Sequence, residues 1–148
     1  MLWRISNHET VDGRGGLVAA ARWHSQGRRI VYFAETPAGA LLETLVHLEL
    51  ELDALPLGYK LLKASCPDSV SVATIDEGKL PANWREDVVE TRRVGDVWLS
   101  EQKQLFLRVP SAIVPETWNV LLNPLHRESK RLKVLWHRTY PWDVRLLG

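Results

Sequence analysis

The chain has 148 residues, 45% of them hydrophobic and 25% charged, which is the composition of an ordinary globular domain with enough apolar mass for a core. Nineteen Lys and Arg nearly cancel eighteen Asp and Glu, so no broad basic field draws the whole molecule to nucleic acid, and no apolar run approaches the length of a membrane span. The single cysteine, Cys66, excludes an internal disulfide framework and fits a reducing cytoplasm, and the N-terminal "MLWRISNHET" lacks the apolar core and cleavage site of a secretory signal.

In chain order, "LWRIS" (Leu2 to Ser6) alternates apolar and polar residues and predicts a short strand with Arg4 on one face. "DGRGG" (Asp12 to Gly16) reads as a flexible loop; it has neither the spacing nor the strand–helix context of a dinucleotide fingerprint. "AAARWHSQGRR" (Ala19 to Arg29) ends in a turn at Gly27, and "IVYFAE" (Ile30 to Glu35) predicts a strand rich in β-branched and aromatic residues. Thr36 and Pro37 form a helix start, a capping hydroxyl followed by proline at the first helical position. Leu41, Leu45, Leu48 and Leu52 then recur at three- and four-residue spacing, predicting a helix over 38–52.

"YKLLKASCP" and "SVSVATID" predict two further strands, "KLPANWRED" a loop or short helical piece, and "GDVWLSEQKQ" (Gly95 to Gln104) a short helix. "FLRVPSAIVP" (Phe106 to Pro115) predicts another strand, and "NVLLNPLH" leads to one or two closing strands in "RLKVLWHRTYPWDVRL". No repeat, low-complexity segment or linker interrupts the pattern, so a single domain over 1–148 is expected. The mixture predicts an α+β fold with a mostly antiparallel sheet.

Several polar residues stand where a core or a cleft is expected, and each admits two readings. Glu43 lies close to the apolar stripe of its helix, with His47 one turn later: a boundary carboxylate paired with that histidine, or a carboxylate aimed into a cleft. Glu49, Glu51 and Asp53 read as a solvated acidic end. Arg4 and Arg22 are either surface ion-pair partners or planar forks for a phosphate. Tyr32, mid-strand, reads as a core aromatic with a satisfied hydroxyl, and Trp23, Trp98 and Trp118 are packing or platforms for planar rings. Ser111, between Pro110 and a branched apolar run, either closes a strand or delivers a hydroxyl to a pocket. It lacks the G-x-S-x-G elbow, so a serine hydrolase using His126 or Asp143 has little support, and the five histidines show no metal-ligand spacing.

Taken together these residues resemble the RES domain, named for its arginine, glutamate and serine, the toxin half of a bacterial toxin–antitoxin family. "WRIS" carries Arg4, and "GGLVAAARWHSQGRRIVYFAETPAGALLETLVHL" carries Arg22, Tyr32 and Glu43. "GDVWL", "LRVPSAIVP" around Ser111, "NVLLNPLH" and "YPWDVRL" follow in the family's order. The resemblance implies a split sheet like that of ADP-ribosyltransferases, with NAD+ as substrate and no metal. It implies loss of NAD+ by cleavage of its nicotinamide–ribose bond, with water or inorganic phosphate as acceptor, and growth arrest as the result. Protein mono-ADP-ribosylation at the same site, and a non-catalytic nucleotide- or RNA-binding domain, are the alternatives. It further implies Glu43, Arg22 and Ser111 as catalytic residues, and Arg4, Arg22, Tyr32 and Ser111 as contacts to NAD+. The implied partner is an Xre-type helix-turn-helix antitoxin, with no membrane and no direct nucleic-acid contact. Few residues precede Arg4, so a contact from an earlier extension is not expected.

Overall fold

The computed structural model describes residues 1–48 and 57–147. Strand β1 is Leu2–Ser6, as its alternation predicts, and a single helical turn, α1 (Gly15–Val18), interrupts the expected loop. Strand β2 (Val31–Ala34) leads into helix α2 (Pro37–His47), where the Thr36 hydroxyl accepts from the Gly39 N–H at 2.9 Å and Pro37 occupies the first turn. The helix expected to Leu52 ends at His47, with Leu48 already extended as its C-cap; Leu52 and the acidic residues Glu49, Glu51 and Asp53 lie outside the described residues.

Strand β3 is Lys60–Ser65, and β4 is only Val72–Thr74, shorter than the alternation from Ser69 to Asp76 suggests. Helix α3 runs Val89–Glu101, starting well before the expected Gly95 and ending short of the expected Gln104. No side chain of Val88 caps it; instead the Asp87 carboxylate accepts from Val89 N–H at 2.9 Å, a start signal displaced from the usual position. Strand β5 (Phe106–Pro110) stops at the first proline, β6 (Trp118–Leu122) forms from the start of the "NVLLNPLH" block, and β7 (Lys133–Thr139) closes the sheet.

The seven strands lie in the order β4-β5-β6-β2-β1-β3-β7. The pairing is antiparallel except between β4 and β5, which makes the fold α+β with a mostly antiparallel sheet, as expected. Its middle is weak: β1 and β2 share only the pair Trp3 and Ala34, whereas β1 pairs with β3 along its whole length. The sheet therefore splits there, and its two halves diverge from that single pair.

Both faces of the larger half are buried. Val31, Phe33, Phe106, Val120 and Leu122 alternate toward one core, while Leu107, Val109 and Leu121 face the other with Trp23, Trp84, Trp98 and Leu99. On that second face α3 covers the larger half. Helix α2 packs on β1 and β2 and puts Ala40 against Ile5, Ala34 and Leu61. The place the architecture leaves open lies between α2 and residues 21–23, at the β1–β2 split.

Candidate active site

A cleft of about 410 Å3 opens at the split, within the size range of small-molecule sites. Its walls include Trp3, Trp23, Tyr32 and Tyr59, and Arg4, Arg22, Glu43, His47 and Asn119 supply polar groups. Glu43 is the sole carboxylate among the described lining residues. It does not pair with His47; its Oε1 accepts from Ser111 Oγ at 2.6 Å and from Asn119 Nδ2 at 2.8 Å.

Ser111 lies immediately behind Glu43. It is 2% exposed, and its oxygen also accepts the Ile113 and Val114 N–H groups at 3.1 and 3.3 Å. Its one hydrogen is spent on Glu43, so the hydroxyl is not offered to the cleft. Pro110 ends the strand and the chain turns around the serine, which points it at the carboxylate rather than at a ligand. Neither residue considered for a hydrolase triad reaches it: His126 Nδ1 accepts from Glu128 N–H, and Asp143 pairs with Arg145.

Arg22 sits in a tight turn that α3 holds by its backbone. The Thr91 hydroxyl, fully buried, donates to the Arg22 carbonyl at 2.7 Å, and Arg92 Nε donates to the Ala21 carbonyl at 2.8 Å. Asp96 accepts from the Ser25 N–H and hydroxyl at 2.9 and 2.6 Å. Gly95 lies between these residues on the same helix face, and a Cβ there would stand 1.6 Å from the Trp23 carbonyl oxygen. The "GDVWL" motif is thus explained by close approach and capping: helix and turn can touch only because residue 95 has no side chain.

The Arg22 guanidinium donates to the Trp84 carbonyl at 2.9 Å and lies 5.7 Å from the centre of the Trp84 ring. No carboxylate pairs with it among the described residues, and its remaining donors are unspent. Burial lowers its pKa, with Glu43, Glu86 and Tyr32 pulling the other way. Arg4 is placed differently. It lines the cleft but donates to the Thr10 carbonyl at 3.2 Å, and the charge acting on it, against the lowering effect of burial, is Asp12. The structure brings Glu43 and Arg22 into each other's field, whereas the charge acting on Arg4 is that of Asp12.

Tyr32 stands between them on β2. His24 Nε2 meets the Ala19 carbonyl at 2.8 Å, so that nitrogen carries the hydrogen and Nδ1 is the acceptor. Tyr32 Oη, 2.8 Å from Nδ1, therefore donates to His24, and it accepts the Trp23 N–H at 3.2 Å. Burial pushes the phenol well above its usual range. Tyr32 presents its ring to the cleft and uses its hydroxyl to tether the Arg22 turn.

Asn119 and the α3 clamp are the residues of the site that the sequence alone does not single out. Asn119 had a signal: it interrupts "WNVLL" on the face of β6 that also carries buried Leu121, where an amide needs a partner. Among the described residues no group of three or more His, Cys, Asp or Glu gathers as metal ligands, and no helix is long and apolar enough to cross a membrane.

Comparison with known proteins places this chain in a family. Residues 1–143 match the RES domain model. Toxin Res of Pseudomonas putida is 42% identical over 134 residues, covering 90% of this chain and 91% of that protein. A Sphingobium protein named Prs ADP-ribosylating toxin is 36% identical, covering 98% of this chain and 95% of that protein. The crystal structure of the Mycobacterium tuberculosis MbcT–MbcA toxin–antitoxin complex contains a chain with the same fold. Its TM-score is 0.74 at 15% identity, covering 94% of this chain and 82% of that one. The chain belongs to the RES domain family, and its similarity to the Toxin Res proteins runs nearly end to end.

Proposed function

We propose that this protein is the toxin of a toxin–antitoxin pair and that it breaks the nicotinamide–ribose bond of NAD+. The observation that carries the reading is the presence, in one cleft, of a carboxylate anchored through one oxygen and an arginine that has spare donors and no partner acid among the described residues. A dinucleotide supplies what each lacks: a pyrophosphate for the guanidinium and a ribose carbon that becomes positive for the carboxylate. The aromatic walls suit planar rings.

In this reading Arg22 binds the pyrophosphate, and Arg4 adds positive charge from the cleft lining. The bond between ribose C1′ and the pyridinium nitrogen breaks, and its electron pair leaves with neutral nicotinamide. The positive charge remains on C1′ and the ring oxygen, where Glu43 stabilises it by the logic of glycoside cleavage. A nucleophile then adds at C1′; water loses a proton to solvent and gives ADP-ribose, and inorganic phosphate gives the 1-phosphate. Ser111 contributes by holding Glu43, and Tyr32 by its ring and its hold on the Arg22 turn.

The test is incubation of purified protein with NAD+, with nicotinamide and the ribosyl product separated by chromatography in phosphate-free and phosphate buffers. Release of nicotinamide is expected, with the product identifying the acceptor; binding without release would support the non-catalytic nucleotide-binding alternative. A second reading, transfer of ADP-ribose to a protein, is favoured by the name of the Sphingobium relative. Labelled NAD+ in a cell lysate separates the two, because only protein transfer leaves modified bands. For the biological role, expression alone should arrest growth, and co-expression of a neighbouring Xre-type antitoxin should restore it. Harmless accumulation of folded protein would contradict the toxin reading.

A further inference from the structure

Both hydrogen bonds to Glu43 end on the same oxygen. Ser111 and Asn119 converge on Oε1, and among the described residues Oε2 accepts from nothing. A carboxylate held at one point still turns about its last bond; one held by two donors from different segments has its second oxygen aimed. Ser111 comes from the end of β5, and Asn119 from β6, where it stands opposite Ala34 on one side and Val109 on the other. Asn119 also lines the cleft, while Ser111 is sealed behind it.

The residue type matters. An ammonium at this place would hold the carboxylate more tightly but would cancel its charge, and a second carboxylate would repel it. A neutral amide, which can meet a carboxylate only through its N–H, restrains Glu43 and leaves its charge whole. We propose that Asn119 is a positioning residue that, with Ser111, fixes Glu43 so that Oε2 alone serves the reaction. The contact stands independently of the substrate; its catalytic consequence rests on the NAD+ reading above.

Two measurements test it separately. The first is the side-chain amide resonance of Asn119 in nitrogen-15 spectra of the wild type and of Glu43→Ala, with no substrate present. A displaced pair of amide protons in the variant is expected; identical resonances would overturn the proposal. The second is the pH profile of nicotinamide release from NAD+ by variants whose folding is checked by melting. Asn119→Ala should lower kcat about tenfold at every pH with KM nearly unchanged, the scale of losing one hydrogen bond to a charged group. Asn119→Asp should be weaker still above neutrality, where two carboxylates face each other, and should recover as acid supplies one proton for them to share. Wild-type kcat and an unshifted profile in both folded variants would refute the positioning role. Amide resonances that move in a wild-type protein releasing no nicotinamide would instead keep the contact and refute the NAD+ reading.

Discussion

The two walls of the cleft hold their charges by opposite means. Glu43 is fixed through its own side chain, by two donors on one carboxylate oxygen. Arg22 is fixed through its main chain, by α3 residues that bind the carbonyls and N–H groups of residues 21–25 and leave most of the guanidinium free. An aimed carboxylate suits a charge that develops at one fixed place, whereas a free fork on a rigid turn suits a flexible diphosphate. On the proposed function, this difference gives the chemistry to one wall and the binding to the other.

The largest expected effect is on the chemical wall. Glu43→Gln keeps the shape but removes the charge, so kcat should fall by roughly 10²-fold or more, the scale of one lost preorganised electrostatic contact. Its melting temperature should stay close to the wild type. Steady-state kinetics beside a thermal melt checks both, and near-full activity would mean that Glu43 is not the stabilising carboxylate.

The binding wall should break through its backbone. Gly95→Ala forces a methyl carbon against the Trp23 carbonyl, so α3 and the Arg22 turn must separate. Overpacking of this kind costs about 1–3 kcal/mol, and denaturant titration should show it as a lower midpoint. The surviving folded protein should have a raised KM for NAD+. Arg22→Lys leaves the turn intact but loses the planar fork, so it should raise KM several-fold with a smaller change in kcat.

The smallest effect is set by pH. Burial holds the His24 imidazole below its ordinary pKa of 6.5, against the Ala19 carbonyl and Asp96, which raise it, and with Arg92, which lowers it further. As pH falls through 6.5 the unfolded chain takes up this proton first, so the stability His24 contributes is complete above that pH and declines below it. Protonation also removes the acceptor of the Tyr32 hydroxyl. Melting temperatures at steps from pH 7.5 to 5 should fall slightly for the wild type, and His24→Asn should lose that slope while melting lower throughout.

How much of this was legible in the sequence depends on how local the cause is. Strand β1 and the Thr36–Pro37 helix start were readable because their signals lie within a few residues. The start of α3 was not, because its N-terminus is served by Asp87 and its middle contains Gly95, a poor helix former retained for contact with a turn some seventy residues earlier. Arg22 and Glu43 were identifiable as residues, but their different anchorage was not. Ser111 reads as a strand end or as a hydroxyl delivered to a pocket, and the structure spends that hydroxyl on Glu43. The Tyr32 hydroxyl is satisfied inside the protein, as a core aromatic's should be, by His24 and the Trp23 N–H. Hydrogen-bond partners 68 residues apart, or across a turn, leave no periodic trace.

The division between the walls is tested most directly by calorimetric titration of NAD+ into the Glu43→Gln protein, beside Arg22→Lys. The account predicts that Glu43→Gln binds NAD+ with an affinity within a few-fold of the KM of the wild type while releasing almost no nicotinamide, and that Arg22→Lys binds it distinctly more weakly. Loss of binding in Glu43→Gln, with binding retained in Arg22→Lys, would contradict it.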